Sequence, residues 1–268
     1  MNKNGILAML LVLLAGAAQA EDYFSPTDER LRLSLGTVYL QTKTTLQIDS
    51  SSGMTGTPVS AEDTFGMNKD DFEAKFQVML RLGERNRFWF DYFSLDRTGN
   101  KTIDQDILFR NVELLPGDPV NSNLSIDVLS FTYGYSFIHN EKFELAATLG
   151  INDTDLSARA QVSTAARHVY QTEDQAGPFP TLGLNGTYVI SKRFYLDARA
   201  SYFRANVDHL DGSLGFYELN ALYRLRANIS FALGYELVKA HLQSSQASNA
   251  GLFNFSTQGP ELFVRVGF

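Results

Sequence analysis

From about residue 30 onward the chain alternates apolar and polar residues with a period of two. Ten segments carry the pattern, at about 30–48, 70–82, 87–103, 124–137, 143–157, 179–190, 194–208, 213–225, 229–243 and 256–268. In the second, Phe72, Ala74, Phe76, Val78, Leu80 and Leu82 share one face, and Glu73, Lys75, Gln77 and Arg81 share the other. The ninth repeats it, with Ile229, Phe231, Leu233, Tyr235 and Leu237 against Ser230, Ala232, Gly234 and Glu236. Successive side chains of a strand point to opposite faces, so the pattern predicts strands with one lipophilic and one polar side. Short links at 84–86, 139–142, 191–193 and 226–228 read as hairpin turns. They alternate with longer links at about 49–69, 104–123, 158–178 and 244–255, rich in Gly, Ser, Pro and Asp; the link near Leu210 to Gly212 is a short exception. Residues 106–113 are expected to add a small hairpin beyond the main sheet.

A soluble sandwich or lipocalin-like barrel would also alternate, but its exposed face would be rich in Lys and Glu. Here several polar faces are too thin for that, such as Gly183, Asn185 and Thr187, or Ser130, Thr132, Gly134 and Ser136. The opposite faces are large and aromatic, as in Leu129, Phe131, Tyr133, Tyr135 and Phe137. Large outside and small inside suits lipid contact around a narrow lumen. Phe88, Phe137, Phe143, Tyr188, Phe194, Tyr223 and Phe268 all lie near the short turns, where an aromatic girdle belongs.

Both ends of the chain sharpen this expectation. Lys3, the apolar stretch Ile6 to Leu14 and the A-x-A site Ala18-Gln19-Ala20 read as a signal peptide over 1–20, cleaved after Ala20. A lipoprotein signal would need a Cys, and the chain has none. At the other end Leu262, Val264, Val266 and Phe268 share a face, with Glu261, Phe263, Arg265 and Gly267 opposite. An alternating last strand ending on Phe resembles the closing strand of Gram-negative outer-membrane β-barrels. That resemblance implies an all-β, transmembrane, antiparallel up-and-down barrel over 21–268, of ten strands or, if two segments are loop hairpins, eight. It implies residence in the bacterial outer membrane among lipid and lipopolysaccharide. It also implies that the outer-membrane assembly machinery reads the Leu262–Phe268 strand. Short turns and both termini would be periplasmic, residues 21–29 an irregular lead, and Leu33 would sit across from Val264 where the barrel closes.

Composition fits. After Ala20 no apolar run approaches the 18 residues of a membrane helix. Without Lys3 there remain 22 basic against 30 acidic residues, a formal charge of −8, which disfavours nucleic acid as a partner. A closed barrel needs no disulfides, because its backbone groups pair within the sheet. Oligomeric state is not legible.

The chemistry is expected in the lumen. Inward parity gives Arg32, Lys75, Arg81, Arg199, Arg224 and Arg265, with Glu73, Asp91, Glu144, Asp197, Glu218, Glu236 and Glu261. Six cations against seven anions nearly cancel, and charges in a narrow interior must be paired or hydrated. They form either an interlocked structural network or the lining of a narrow wet channel. Eight strands are just filled by side chains and 16–18 leave a channel, so ten favours filling.

Catalytic readings find little support. Ten strands is also the count of the omptin proteases, and the nearest residues here are Asp208, His209 and Asp211 at the outer end of the seventh segment, but Asp208 and His209 point apart if that segment stays extended. His241 with Ser244 or Ser245 lacks an acid, and His168, His209 and His241 read as solvated rim residues. Asp104-x-Asp106 and Asp153-x-Asp155 lack the Gly and distal Glu of a calcium loop, and suit loop solvation or cation-bridged contact with lipopolysaccharide. No cofactor or metal is implied. The expectation is a non-enzymatic barrel, structural in the envelope or a small-solute channel. The alternatives are a surface adhesion or interaction protein acting through its loops, and then an outer-membrane protease or lipid-modifying enzyme.

Overall fold

The computed structural model describes residues 25–163, 168–246 and 250–268. The signal segment with Ala18 and Ala20, and the start of the lead, lie outside the described residues. Ten long strands form the wall: β1 (Leu31–Ile48), β3 (Asp70–Leu82), β4 (Asn86–Thr102), β7 (Pro119–His139), β8 (Phe143–Ser163), β9 (His168–Val189), β10 (Phe194–Val207), β11 (Leu210–Arg226), β12 (Ile229–Ser244) and β13 (Gly251–Gly267). Neighbours pair antiparallel in chain order, and β13 pairs with β1 to close the barrel. Ten strands, not eight, make the wall. The remaining pieces belong to loops: β2 (Val59–Ser60) adds to β1, and β5 (Ile107–Phe109) with β6 (Val112–Leu114) forms the small hairpin expected at 106–113.

Closure is set by the ends. Phe268 donates its N–H to Leu31 O at 2.9 Å, and its carbonyl accepts from Arg30 at 2.5 Å and Leu31 at 3.1 Å. Leu33 lies across from Val266, and Val264 across from Leu35. The expected Leu33–Val264 pairing was thus two residues off. Alternation fixes which face a residue takes, but hydrogen bonds fix register, and a shift of two preserves every face. On the outer face of the last strand Leu262 and Phe268 are exposed, Val264 is half-buried and Val266 is buried.

The outward positions define a lipid band. On β1 it runs Leu31, Leu33, Leu35, Thr37, Tyr39, and then turns polar at Gln41 and Lys43. The same change follows Phe72 on β3, Tyr92 on β4, Leu129 on β7, Ile151 on β8, Tyr202 on β10 and Tyr217 on β11. A ring of mostly Tyr therefore marks the outer interface, opposite the Phe-rich ring near the turns. Nine residues from Leu31 to Tyr39, tilted by about 40°, span roughly 20 Å, close to the ~25 Å apolar band of such barrels.

Two features depart from the sequence reading. Residues 158–163 and 168–178 are strand rather than loose loop. β8 and β9 pair from Phe143↔Tyr188 to Ser163↔His168, well beyond the band. Ala158, Ala160 and Val162 stay buried there because loops fold against them. Second, the wall divides along two seams. β3 and β4 pair only from Leu82↔Asn86 to Phe76↔Tyr92. β9 and β10 pair only from Val189↔Tyr195 to Leu182↔Tyr202. Above those points β4, β7, β8 and β9 continue as one sheet, and β10 to β13 with β1 and β3 as another.

Cysteines replacing Leu33 and Val266 should crosslink in the assembled barrel, whereas Leu33 with Val264 should not, measured by gel shift under oxidation. Deleting Phe268 removes three closing hydrogen bonds and should leave less heat-modifiable, membrane-inserted protein. Normal assembly of the truncated chain would contradict this closure.

The lumen as candidate functional site

The lumen is built in layers, beginning with a charged base. Residues from β1, β3, β4, β8, β10, β11 and β13 point in at the turn end because their inward parity falls there. Glu144, wholly buried, receives Arg81 as a fork, Nη1 to Oε1 and Nη2 to Oε2, both at 2.8 Å. Ser136 Oγ donates to it at 2.6 Å, and Arg87 Nη1 lies 3.1 Å away. Asp197 takes Arg32 at 3.4 Å and Arg265 at 3.3 Å, with Thr187 Oγ1 donating at 3.2 Å. Two parallel N–H bonds to one carboxylate give both strength and a fixed orientation.

The lead completes this base. Ser25, Thr27 and Glu29 are buried. Glu29 accepts from Arg32 Nε at 2.6 Å and lies 3.3 Å from Arg224 Nη2. Its backbone carbonyl accepts from Arg81 Nε at 3.1 Å. Arg32 also donates to the carbonyl of Pro26. Far from a loose tail, the described part of the lead is held inside the mouth by three arginines.

A middle layer sits on it. Lys75 Nζ gathers Glu218, Glu236 and Glu261 at 3.2, 2.9 and 2.5 Å. These three carboxylates come close enough to hold a metal ion, and the ammonium occupies that centre. Arg199 Nη1 donates to Asp91 Oδ2 at 3.1 Å. The single Trp, Trp89, is stacked by Arg87 at 4.7 Å and by Arg199 at 5.7 Å. Its ring presses on Gly134, where an added Cβ would meet it at 2.6 Å, so β7 has to be bare there.

Above the charges lies a cavity of about 190 Å³. Lys75, Asp91, Arg199 and Glu236 form its floor, and its walls are mainly apolar, among them Phe93, Ile126, Val128, Leu156, Phe216 and Val238. Two apolar clusters roof it. Ala61 and Met67 of the first loop pack with Leu95, Leu124 and Phe255; beyond them Phe65, Ile107, Phe109 and Leu114 pack with Leu46, Val120 and Val162. The loops at 49–69 and 103–118 are thus folded inward as a lid. Arg97, 1 % exposed, pins it: Nη1 donates to Glu62 Oε1 at 2.8 Å and to Thr44 Oγ1 at 3.0 Å, and Nε donates to Asn68 O at 3.1 Å.

Of the thirteen charges expected in the lumen, twelve sit in these two charged layers. The exception is Glu73, half-buried beside the β3–β4 seam and outside the ion pairs among the described residues. Arg81, Arg224 and Arg265 are paired with Glu144, Glu29 and Asp197, whereas the upper glutamates go to Lys75. Arg87 and Arg97 were missed although they share the parity of Asp91. Glu29 and Glu62 stand in irregular segments, where no periodicity assigns a face.

Glu144→Ala strands two buried guanidinium groups, so it should cost roughly 3–5 kcal/mol and lower the temperature at which the folded gel band is lost. Asp63→Ala breaks only the exposed Lys69–Asp63 pair, 2.9 Å apart with both side chains more than 60 % exposed, and should leave the melting of the folded band close to that of the wild type. Equal melting of the two variants would show that the base is screened by water.

No family model matches the sequence, and no curated protein matches it. Solved structures do match. The outer membrane protease OmpT from Escherichia coli is 11 % identical, with a TM-score of 0.60 over 92 % of this chain and 99 % of that one. The translocator domain of the autotransporter NalP from Neisseria meningitidis is 12 % identical, with a TM-score of 0.43 over 99 % and 95 %. Ail from Yersinia pestis is 9 % identical, with a TM-score of 0.38 over 89 % and 99 %. At such identities the likeness extends to fold and not to activity. The chain has the fold of the small Gram-negative outer-membrane β-barrels.

Proposed function

We propose that this protein is an integral outer-membrane barrel without enzymatic activity, closed to the free passage of ions and acting as a structural component of the envelope. The observation that carries this reading is the base layer, where Glu29, Glu144 and Asp197 are locked to five arginines across the lumen. Hydrated ions have no path through side chains that are more than nine-tenths buried and held by one another. The apolar lid works in the same direction at the opposite end.

The rim residues support the non-enzymatic part. Asp208 and His209 form the exposed two-residue turn between β10 and β11, with Asp208 at φ 50°. Asp211 is engaged by Arg204 at 3.9 Å and Asn206 at 3.5 Å. His241 Nδ1 lies 2.6 Å from the amide oxygen of Asn254, while Ser245 Oγ donates to His209 O and Ser244 Oγ accepts from Gln246 N, so neither candidate serine is engaged by the His241 ring. The inward fold of the loops at 49–69 and 103–118 leaves less free surface for adhesion than extended loops would.

In planar bilayers the wild-type protein should be silent. Removing residues 25–29 should leave it nearly so, because Arg81, Arg87 and Glu144 still cross the mouth. Combining that deletion with Glu144→Ala and Asp197→Ala should produce discrete conducting steps. Steps of constant size from the wild type would overturn the closed reading.

A further inference from the structure

We propose that the lumen cavity is a binding site for a small, mostly apolar molecule without negative charge, about the size of a substituted benzene ring, which enters through the wall between β3 and β4. The proposal rests on the closed reading, since in an open channel the same space would be a water-filled vestibule.

Size and lining come first. A cavity of 150 Å³ lined by Leu, Ile and Phe stays dry and takes benzene, so about 190 Å³ admits a ring with one or two substituents. Ligand sites in proteins are typically apolar concavities with a few polar groups that fix orientation. This one has that division, with Phe93, Val128, Phe216 and Val238 on the walls and Asp91 and Arg199 beneath.

The wall supplies the entrance. The register Phe76↔Tyr92, continued upward, would place Lys75 across from Phe93 and Asp71 across from Arg97. No such pairing occurs from Lys75 upward. β3 turns to β1 alone, and β4 to β7 alone. The gap is bridged again at Arg97, whose Nε lies 3.7 Å from Asp71 Oδ2 and donates to Asn68 O at 3.1 Å. What remains is a window of four residues on each side, 72–75 against 93–96, about 13 Å along the strands. The cavity reaches it, because Ala74, Phe76 and Tyr92, on the outer face of the wall, contribute to its lining. Unpaired backbone cannot face hydrocarbon. On β4 the window starts at Tyr92, where outward residues change to Ser94 and Asp96, and on β3 its outward residues are Ala74 and Phe72, the last apolar position before Asp70. It therefore opens at the interface, where a partly polar solute collects.

Charge sets the sign of the ligand. The floor and the layer under it hold Lys75 and Arg199 against Asp91, Glu218, Glu236 and Glu261. The window adds Asp71, Glu73 and Asp96 against Arg97. The floor itself balances, but the entry and the middle layer taken whole are each net negative, so a carboxylate is repelled where an alcohol of the same size is accepted.

The test uses a matched pair of probes, 4-fluorobenzyl alcohol and 4-fluorobenzoate, followed by fluorine NMR with the barrel in lipid nanodiscs. The alcohol should bind saturably, and the benzoate at least tenfold more weakly. Ala240→Phe, which fills the cavity from β12, should weaken the alcohol at least tenfold. Val128→Phe does the same from β7, and retention of the heat-modifiable band confirms that each variant is folded. Bridging cysteines at Ala74 and Ser94 with a short bismaleimide should slow exchange of the alcohol at least tenfold. No saturable binding, binding unchanged by both filling variants, or tighter binding of benzoate would overturn the proposal. Exchange unaffected by the bridge would overturn the entrance. Conductance separates the two readings: a silent barrel that binds nothing leaves the closed reading standing without the site, and a conducting barrel defeats the closed reading first.

Discussion

A peptide group that faces hydrocarbon needs a hydrogen-bond partner, and most of this architecture follows from that requirement. It forces β13 back onto β1, with Phe268 and Leu31 tied at the join. It keeps β3 and β4 zipped through most of the lipid band and releases them above Phe76 and Tyr92. The same release between β9 and β10 above Tyr202 lets the outer half of the wall divide into two sheets. The space between those sheets is what the loops fill and what the cavity occupies.

Inside the wall a second requirement takes over. Charged groups drawn into a narrow interior have to be matched, and the matching is done by layer. Guanidinium groups crowd the base because carboxylates reach them from three directions: β8 with Glu144, β10 with Asp197 and the lead with Glu29. Higher up one ammonium is surrounded by three carboxylates. Replacing such pairs by apolar groups is often neutral for stability, so on the closed reading proposed above their value to this barrel is the blocked mouth and the fixed position of the lead. The apolar lid is held chiefly by packing, with the buried Arg97–Glu62 pair as its charged contact.

Parity was legible and distance was not. Asp91, Glu144 and Asp197 could each be assigned to the lumen by counting along a strand, and Arg87 and Arg97 were within reach of the same count. Their partners were out of reach, because pairs such as Arg81 with Glu144 or Lys75 with Glu261 come from strands far apart in sequence, and a register shift of two changes every partner while leaving every face alone. The closing pair shows this directly: Leu33 meets Val266 and not Val264.

The sequence by itself determined an all-β chain of ten alternating segments, the lipid-facing and lumen-facing sets, and the ends where the turns lie, because a period of two is written into the residue types; that all ten join the wall was left to the tertiary structure. Only the tertiary structure decided that Glu29 is drawn into the mouth, that Ala61, Phe65 and Ile107 form a lid, and that β3 leaves β4 at Lys75. Those outcomes depend on irregular segments and on the competition between strand pairing and loop packing. No local pattern encodes them, since each is settled by groups brought together only when the barrel closes.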